Sequence, residues 1–332
     1  MRVLVTGGAG FIGSHLVRRL VDQGHMVRIL DNLSSGQREL LGPALTMVEF
    51  ITGDIRDWAT VQAATRHIDL VFHLAALVSV GESIEHPLQT HATNVTGTLH
   101  VLEAARASGV GRVVQASSCA VYGNTTTLPV GEAEPPQPLS PYALTKLAAE
   151  QAGQLYTQLY DVETVALRFF NVYGPRQDPD SPYAAVIPRF IAALLDGQQP
   201  RIYGDGHQSR DFVFVGDIVR ALWTAATTPG IGGAVFNVGS GRHWSIIELA
   251  QAIGATLNTS VEPQFAPARS GEVRHSCAST QLFAERTGFH TQVDLHHGLT
   301  ATVDAWNKIA RRRDEATLLQ PNFTADKFIR KE

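Results

Sequence analysis

Short apolar segments recur along the first half of the chain, each separated from the next by a stretch long enough to form a helix. The segments are RVLVTG, MVRILD, MVEFITGD, LVFHLAA, RVVQASS and TVALRFFN. They are rich in valine and isoleucine and hold few polar residues, which is typical of strands buried on both faces. Strands that alternate with helices form parallel βαβ units. The sequence therefore predicts an α/β fold, a doubly wound parallel sheet.

A glycine motif lies at the first predicted turn, directly after the strand RVLVTG. Gly7, Gly10 and Gly13 let the backbone turn tightly and let a pyrophosphate approach the helix N-terminus, whose free N–H groups favour anions. Such glycines also occur in ordinary strand-to-helix turns, so the motif needs support from its context. Asp31 ends the next strand, where a carboxylate accepts hydrogen bonds from an adenosine ribose. Because that carboxylate would repel the extra phosphate of NADP, we expect NAD.

Two further strand ends are expected to contact the same cofactor. Asp54 and Ile55 follow the third strand and would flank the adenine. Leu74, Ala75 and Ala76 follow the fourth strand and would run beneath the cofactor.

A serine, a tyrosine and a lysine form the candidate catalytic set. Ser118 lies at the end of a predicted strand, and the helix that starts in PLSPYALTK carries Tyr142 and Lys146 one turn apart. A free phenol has a pKa of about 10, and we expect the neighbouring ammonium and a nicotinamide cation to lower it. Tyr142 would then take a proton from a substrate hydroxyl held by Ser118. Each residue alone has another explanation, such as a surface contact or a turn cap.

Composition excludes several classes of protein. The net charge of −4 and the 17% of charged residues argue against a nucleic-acid or anionic-membrane surface. No apolar run is long enough to cross a bilayer and the N-terminus lacks a signal-peptide pattern, so we expect a cytoplasmic protein. Cys119 and Cys277 are too few for a disulfide framework and lack metal-site spacing, and neither His207 nor His275 has ligand spacing. We expect no metal.

The regular alternation of predicted strands and helices ends after Asn171, and the segment that follows is rich in proline. We expect an NAD-binding domain made of residues 1–171 and about 206–240. A smaller, discontinuous mixed α/β domain for the substrate would comprise about 172–205 and 241–310. Residues 311–332 are expected to form a peripheral tail.

The chain resembles the extended short-chain dehydrogenases that act on nucleotide sugars, and most of all the UDP-hexose 4-epimerases. The resemblance runs from Met1 to roughly Asn307. It is carried by the motifs TGGAGFIG, DNLSSG, GDIRD, HLAA, NVTGT, SSCAVYG, YALTK, RFFNVYGPRQDP, GDGHQSRDF and RSGEVRH. It implies a Rossmann-like sheet, a UDP-sugar substrate, tightly held NAD and a homodimer packed partly through the helix of Tyr142.

The resemblance also implies roles for individual residues. Positions that match cofactor contacts are Gly7, Gly10, Phe11, Ile12, Asp31, Asn32, Asp54, Ile55, Leu74, Ala75, Ala76, Asn94, Tyr142 and Lys146. Positions that match contacts to the UDP moiety are Asn171, Ala185, Val186, Tyr203, Arg210 and Arg269. The two arginines can make forked bonds to a diphosphate, although either can instead form a surface ion pair, such as Arg210 with Asp211, and Tyr203 can equally pack in the core.

The reaction is inferred from the three residues after the catalytic serine. Relatives that dehydrate or decarboxylate the sugar carry an acidic residue there, whereas this chain has Cys119, Ala120 and Val121. The resemblance therefore implies a 4-epimerase, in which a 4-keto sugar turns over and receives its hydride on the other face. A 4,6-dehydratase, a UDP-glucuronate decarboxylase or 4-epimerase, and a non-catalytic NAD sensor are the alternatives. Cys119 is interpreted as a packing residue.

The resemblance also bears on the sugar. Ser276 matches a position where a small side chain admits N-acetyl sugars. Val78 and Ser79 stand where some glucose-type members have lysine. Both features favour UDP-N-acetylglucosamine and UDP-N-acetylgalactosamine as substrates beside UDP-glucose and UDP-galactose.

Overall fold

The computed structural model describes residues 1–179, 185–268 and 273–318, with side chains as far as residue 308. Its strands are β1 (Arg2–Thr6), β2 (Met26–Asp31), β3 (Glu49–Thr52), β4 (Leu70–His73), β5 (Arg112–Ser118), β6 (Glu163–Phe169), β7 (Asn171–Tyr173), β8 (Arg201–Tyr203), β9 (Ser209–Arg210), β10 (Phe212–Phe214), β11 (Val235–Val238), β12 (Trp244–Ser245) and β13 (Gln264–Ala266). Its α-helices are α1 (Phe11–Asp22), α2 (Trp58–Ala64), α3 (Val80–Glu85), α4 (Pro87–His91), α5 (Gly97–Ser108), α6 (Pro141–Tyr160), α7 (Val186–Leu195), α8 (Val215–Thr227), α9 (Ile246–Leu257), α10 (Gln281–Thr287) and α11 (Leu295–Leu318). Two 3-10 segments span Arg38–Met47 and Cys119–Tyr122, and a π-helical segment spans Ala92–Thr96.

Seven of the described strands form one parallel sheet, in the order β11-β6-β5-β4-β1-β2-β3. The chain builds outward from β1 to β3, returns to β4 beside β1, and then builds outward in the other direction. The strand order therefore reverses between β1 and β4. Open α/β sheets bind ligands at the carboxyl ends of the strands at such a reversal. The predicted doubly wound parallel sheet is confirmed. A ligand is expected at the carboxyl ends of β1 and β4, where the order reverses.

Helix α6 carries the candidate tyrosine and lysine and begins where the sequence predicts. The Ser140 hydroxyl accepts a hydrogen bond from the Ala143 N–H (3.2 Å), and Pro141 occupies the first turn, where no intrahelical N–H bond is required. The helix ends at Asp161, which adopts a left-handed conformation with φ of 55°. It packs against β5 and β6, so its residues reach the carboxyl end of β5.

Three large apolar cores hold the structure together. The core between the sheet, α1 and α8 contains Leu16 and Leu222, the core between the sheet, α2 and α5 contains Val61 and Leu102, and a separate core among α7, α9 and α11 contains Leu249. Within the described ranges, no helix is both long and apolar enough to cross a bilayer.

The predicted domain boundaries stay a prediction, and the packing differs from them at two places. The side chain of Phe212 packs in the core of α7, α9 and α11, whereas the sequence assigns it to the NAD-binding domain. Phe283 and Phe289 pack in the core of the main sheet, and the Phe283 ring lies 5.0 Å from that of Phe236. The chain therefore passes between the cores more often than the predicted domain boundaries indicate.

The predicted peripheral tail begins within a helix. Residues 311–318 continue helix α11, and residues 319–332 lie outside the described residues.

Candidate active site

The glycine motif forms a close approach between the loop after β1 and the loop after β4. Gly7 has φ of +70°, and a Cβ atom there would lie 2.7 Å from the backbone nitrogen of Ala75. A Cβ atom on Gly13 would collide with the Gly7 carbonyl oxygen. Helix α1 begins after Gly10 and has neither a side-chain cap nor an acidic residue in its first turn. The first-turn N–H groups of Phe11 and Ile12 therefore suit a pyrophosphate.

Asp31 lies across from this turn, at the end of β2. Its carboxylate accepts hydrogen bonds from the Ala9 N–H (2.9 Å) and the Leu33 N–H (2.8 Å), one on each oxygen. A carboxylate has about four acceptor positions, so two remain for ribose hydroxyls. The two remaining acceptor positions suit the ribose hydroxyls of NAD, and the negative charge of Asp31 disfavours a ribose that carries a phosphate.

Asn32 and Asp54 meet at the same edge. Asn32 donates to Asp54 Oδ2 (3.0 Å), and the Arg56 guanidinium holds the pKa of the Asp54 carboxyl at about 2, mainly through its hydrogen bonds. Asp54 therefore stays ionised and is fixed in place. Ile55 is buried in the core of α2 and α5.

Asn94 fixes the loop that follows β4. Its side-chain oxygen accepts from the Leu77 N–H (2.8 Å), while its amide nitrogen donates to the Leu77 carbonyl (2.9 Å) and to Thr145 Oγ1 (3.1 Å). The loop starts with Leu74, Ala75 and Ala76, and the Leu74 N–H donates to the Thr6 carbonyl (3.1 Å). Because both amide protons of Asn94 have protein partners, its evident contribution is to hold this loop, a role that sequence reasoning missed.

Ser118, Tyr142 and Lys146 come together at the carboxyl end of β5. The Ser118 hydroxyl accepts a hydrogen bond from the Ala120 N–H (3.1 Å), and its side chain lies near the Tyr142 phenol, whose ionised form it favours. Lys146 Nζ donates to the Ala116 carbonyl (2.9 Å) and lies 5.9 Å from the centroid of the Tyr142 ring. Tyr142 and Lys146 are only 8% and 7% exposed.

Burial sets the protonation of these groups. It raises the pKa of Tyr142 to about 12, against an opposing hydrogen bond from Ser118. Burial also lowers the pKa of Lys146 to about 8, against the opposing charge of Glu150. The protein groups alone therefore raise the pKa of the Tyr142 phenol instead of lowering it, because burial outweighs the opposing effect of Ser118. The lowering expected from the ammonium and the nicotinamide cation together stays a prediction.

A cavity of about 540 Å³ opens beside Ser118 and Tyr142. Six further residues predicted to bind substrate line it, namely Asn171, Ala185, Val186, Tyr203, Arg210 and Ser276. Ser79 does not line it, because its hydroxyl accepts from the Glu82 N–H (3.0 Å) and caps α3, whereas its neighbours Val78 and Val80 do. Arg269 lies outside the described residues.

Three arginines lie around this cavity, and sequence reasoning identified only Arg210. Arg189 and Arg201 also line it. Arg189 is three residues after Val186, close to one turn of α7, so helical spacing could have revealed it. The Arg201 guanidinium lies 5.5 Å from the ring of Tyr203. Together the three side chains make the cavity suitable for a diphosphate.

The described lining of the cavity includes neither aspartate nor glutamate. Cys119 lines it, but burial raises the pKa of that thiol to about 12, so it is not a thiolate nucleophile. His275 Nδ1 is hydrogen-bonded to Ser209 Oγ (2.9 Å). Across the part of the chain that the structure describes, no three His, Cys, Asp or Glu residues are grouped to hold a metal ion.

Comparison with known proteins gives this arrangement its context. A model described as the NAD dependent epimerase/dehydratase family matches residues 3–239. The UDP-glucose 4-epimerase of Mycolicibacterium smegmatis is 44% identical over 92% of this chain and 98% of its own. The structure of UDP-N-acetylglucosamine 4-epimerase from Methanobrevibacter ruminantium, in complex with UDP-N-acetylmuramic acid, is similar with a TM-score of 0.89 and 39% identity, over 93% and 98% of the two chains.

A third comparison bears on the cofactor. The structure of the Thermus thermophilus UDP-glucose 4-epimerase, in complex with NAD, is similar with a TM-score of 0.85 and 38% identity. The similarity covers 92% of this chain and 99% of that one. The chain therefore belongs to the NAD dependent epimerase/dehydratase family and is an NAD-dependent epimerase, an isomerase.

Proposed function

We propose that the chain is a 4-epimerase of UDP-hexoses that interconverts UDP-glucose and UDP-galactose, and also their N-acetylamino counterparts. The observation that carries the proposal is a cavity that combines Ser118 and Tyr142 with three arginines and, among its described lining residues, no carboxylate. Such a cavity can exchange one proton with a sugar hydroxyl, but its described lining offers no carboxylate for acid–base chemistry at a second site on the sugar.

The proposed roles rest on the contacts. The glycine turn, Asp31 and Lys146 would hold NAD, which supplies the acceptor and donor of the hydride at C4. Ser118 would bind the C4 oxygen, and Tyr142 would take its proton and later return it. Because burial raises the pKa of Tyr142 to about 12, the phenol needs positive charge close by before it can act as a base. Lys146 is the nearest protein group that can provide it.

The sugar must turn over between the two hydride transfers, and the cavity supports that step. Much of its described lining is apolar or small, including Val78, Ala120 and Phe170. Arg189 and Arg210 also line it and would hold the diphosphate while the sugar rotates. Arg269 is proposed to assist them.

The alternatives require chemistry that the described cavity does not offer. A 4,6-dehydratase must deprotonate C5 and protonate the leaving oxygen. A UDP-glucuronate decarboxylase must release the C6 carboxylate of the sugar as carbon dioxide. The next acidic residue along the chain after Ser118 is Glu132, which accepts a hydrogen bond from the Asn237 N–H (2.7 Å) and lines a different cleft. A non-catalytic NAD sensor would have no need for Ser118, Tyr142 and Lys146 in this geometry.

The breadth of substrate is proposed from Ser276. Its hydroxyl is buried and, within the described structure, has no hydrogen-bond partner, although the residue lines the cavity. A buried hydroxyl without a partner costs free energy, and a 2-acetamido group would satisfy it. This supports turnover of UDP-N-acetylglucosamine.

We also propose a homodimer built on α5 and α6. Leu144, Leu155 and Leu159 are 58%, 52% and 65% exposed, and their spacing of 11 and 4 residues places them on one face of α6. Leu99 on the neighbouring α5 is 39% exposed. A second copy that covers this face would bury the four leucines. A cytoplasmic location stays a prediction.

The test is an NMR assay of purified protein with UDP-glucose, UDP-N-acetylglucosamine or UDP-glucuronic acid. We expect the C4 epimers of the first two sugars and no carbon dioxide from the third. A 4-keto-6-deoxy product, decarboxylation, or no reaction with either hexose would contradict the proposal, and the last outcome would favour the sensor.

A further inference from the structure

A buried ion pair connects the middle of α6 to β6, one helical turn beyond Lys146. Glu150 and Arg168 are 2% and 5% exposed. Arg168 Nε donates to Glu150 Oε1 (2.9 Å) and Nη2 donates to Oε2 (2.7 Å), which makes a forked pair. The Ser117 hydroxyl donates to the same carboxylate. The carboxylate of Glu150 therefore joins three elements of the fold.

This contact is one of three between the end of β5 and one face of α6. The helix residues involved are four apart, so their side chains lie on the same face. Each contacts a different one of three successive strand residues, the pairs being Lys146 with Ala116, Glu150 with Ser117 and Tyr142 with Ser118. Ser117 lies between Ala116 and Ser118 along the strand, so its bond to Glu150 holds the residue that separates the other two contacts.

The charge on Lys146 depends on few groups. The charged and titratable groups that contact or influence it are Tyr142 and Glu150 on its own helix and His73 on β4, while Arg168 on β6 pairs with Glu150 and Cys119 after β5 influences Tyr142. Burial lowers the pKa of His73 to about 3, so that imidazole is neutral, and it lies between the hydroxyls of Thr6 and Thr98. Glu150 is the anion that opposes the loss of charge on Lys146 by burial.

We propose that Glu150 is a positioning residue for the reaction, which keeps Lys146 charged and holds the end of β5 against α6. This inference rests on the proposed function for its kinetic consequence only. Removal of the carboxylate takes away the negative charge that stabilises the buried Lys146 cation, so the pKa of Lys146 falls further. Tyr142 then loses the positive charge that favours its phenolate.

The chain offers a direct measurement, because it has four lysines, Lys146, Lys308, Lys327 and Lys331. Protein labelled with ¹³C at the lysine ε-carbon gives one signal for each lysine, and Lys146→Arg assigns the signal of Lys146. We expect Glu150→Gln to lower the titration midpoint of Lys146 by about 1 pH unit. From a pKa of about 8, its charged fraction at pH 8 then falls about fivefold.

A matched control lies at the other end of the same two strands. Glu163 pairs with Arg112 through a hydrogen bond from Arg112 Nε (2.8 Å), far along β5 and β6 from the cavity. We expect Glu163→Gln to leave both the Lys146 midpoint and the pH dependence of kcat/KM unchanged. In Glu150→Gln we expect the alkaline limb of kcat/KM to move to lower pH by the same amount as the Lys146 midpoint.

Two results would overturn the inference: an unchanged Lys146 midpoint in folded Glu150→Gln, or an equal shift in Glu163→Gln. If Glu150→Gln does not fold, the double variant Glu150→Gln/Arg168→Met removes both buried charges and is measured instead, with a smaller downward shift expected because the repulsion from Arg168 is removed as well. The midpoint is measured without any sugar. Absence of epimerisation by the parent protein would therefore contradict the proposed function and leave the midpoint test standing.

Discussion

Replacement of Tyr142 by phenylalanine isolates the phenol oxygen from everything else that the side chain does. The ring stays, so the cavity keeps its shape and the 8%-exposed residue keeps its packing. The interaction with Ser118 is lost, which costs at most about 1 kcal/mol of folding free energy. NAD should remain bound, because the glycine turn, Asp31 and Lys146 are untouched.

The expected loss of rate derives from the proton transfer. With a pKa of about 12, the protein groups alone leave Tyr142 ionised in only about one molecule in 10,000 at pH 8. That deficit corresponds to about 5 kcal/mol, so the site must favour the phenolate strongly when it works. A variant without the phenol oxygen can no longer accept the proton of the substrate hydroxyl and loses all of the general-base catalysis by Tyr142. We expect kcat for UDP-glucose to fall about 100- to 10,000-fold, the usual contribution of a general base.

The matched control is Tyr122→Phe, a second buried tyrosine that lines the same cavity. Its hydroxyl donates to Asn237 Oδ1 (2.7 Å) rather than to Ser118. We expect this variant to lose about 1–3 kcal/mol of stability in urea unfolding and to keep kcat within about threefold of the parent. A coupled assay for UDP-galactose measures both rates, and absorbance measures bound NAD. Near-normal turnover by Tyr142→Phe, or an equal loss in Tyr122→Phe, would refute the reasoning.

Three further predictions test the cofactor turn, the sugar gate and the dimer. Gly13→Ala should weaken NAD binding at least about tenfold, because its Cβ would collide with the Gly7 carbonyl; a fluorescence titration that shows parental affinity would contradict this. Ser276→Tyr should remove turnover of UDP-N-acetylglucosamine while that of UDP-glucose remains, as NMR would show, and unchanged turnover would exclude the gate. Leu159→Glu should give a monomer in light scattering and Leu195→Glu, exposed on α7, should not; a dimer in both would place the interface elsewhere.

The sequence predicted those features that depend on local spacing. The glycine turn, the start of α6 at Ser140 and the convergence of Ser118 with Tyr142 all derive from strand and helix periods and from the direction of parallel strands. The protonation of Tyr142 could not be predicted in this way, because its pKa depends on burial by residues from several elements. Neither could the role of Ser79, since a serine before a helix can cap it as readily as contact a ligand.

Arg210 and Asp211 show how neighbouring residues can serve the same site differently. Asp211 is fully buried, and its carboxylate accepts hydrogen bonds from the Ser240 N–H (2.7 Å), the Gly241 N–H (3.0 Å) and the Ala278 N–H (3.0 Å). These bonds explain why the charge is tolerated inside the protein. Its carbonyl in turn accepts from the Asn171 N–H (2.9 Å). Asp211 therefore fixes the backbone on which Arg210 faces the cavity, so its removal would weaken substrate binding without any contact to substrate.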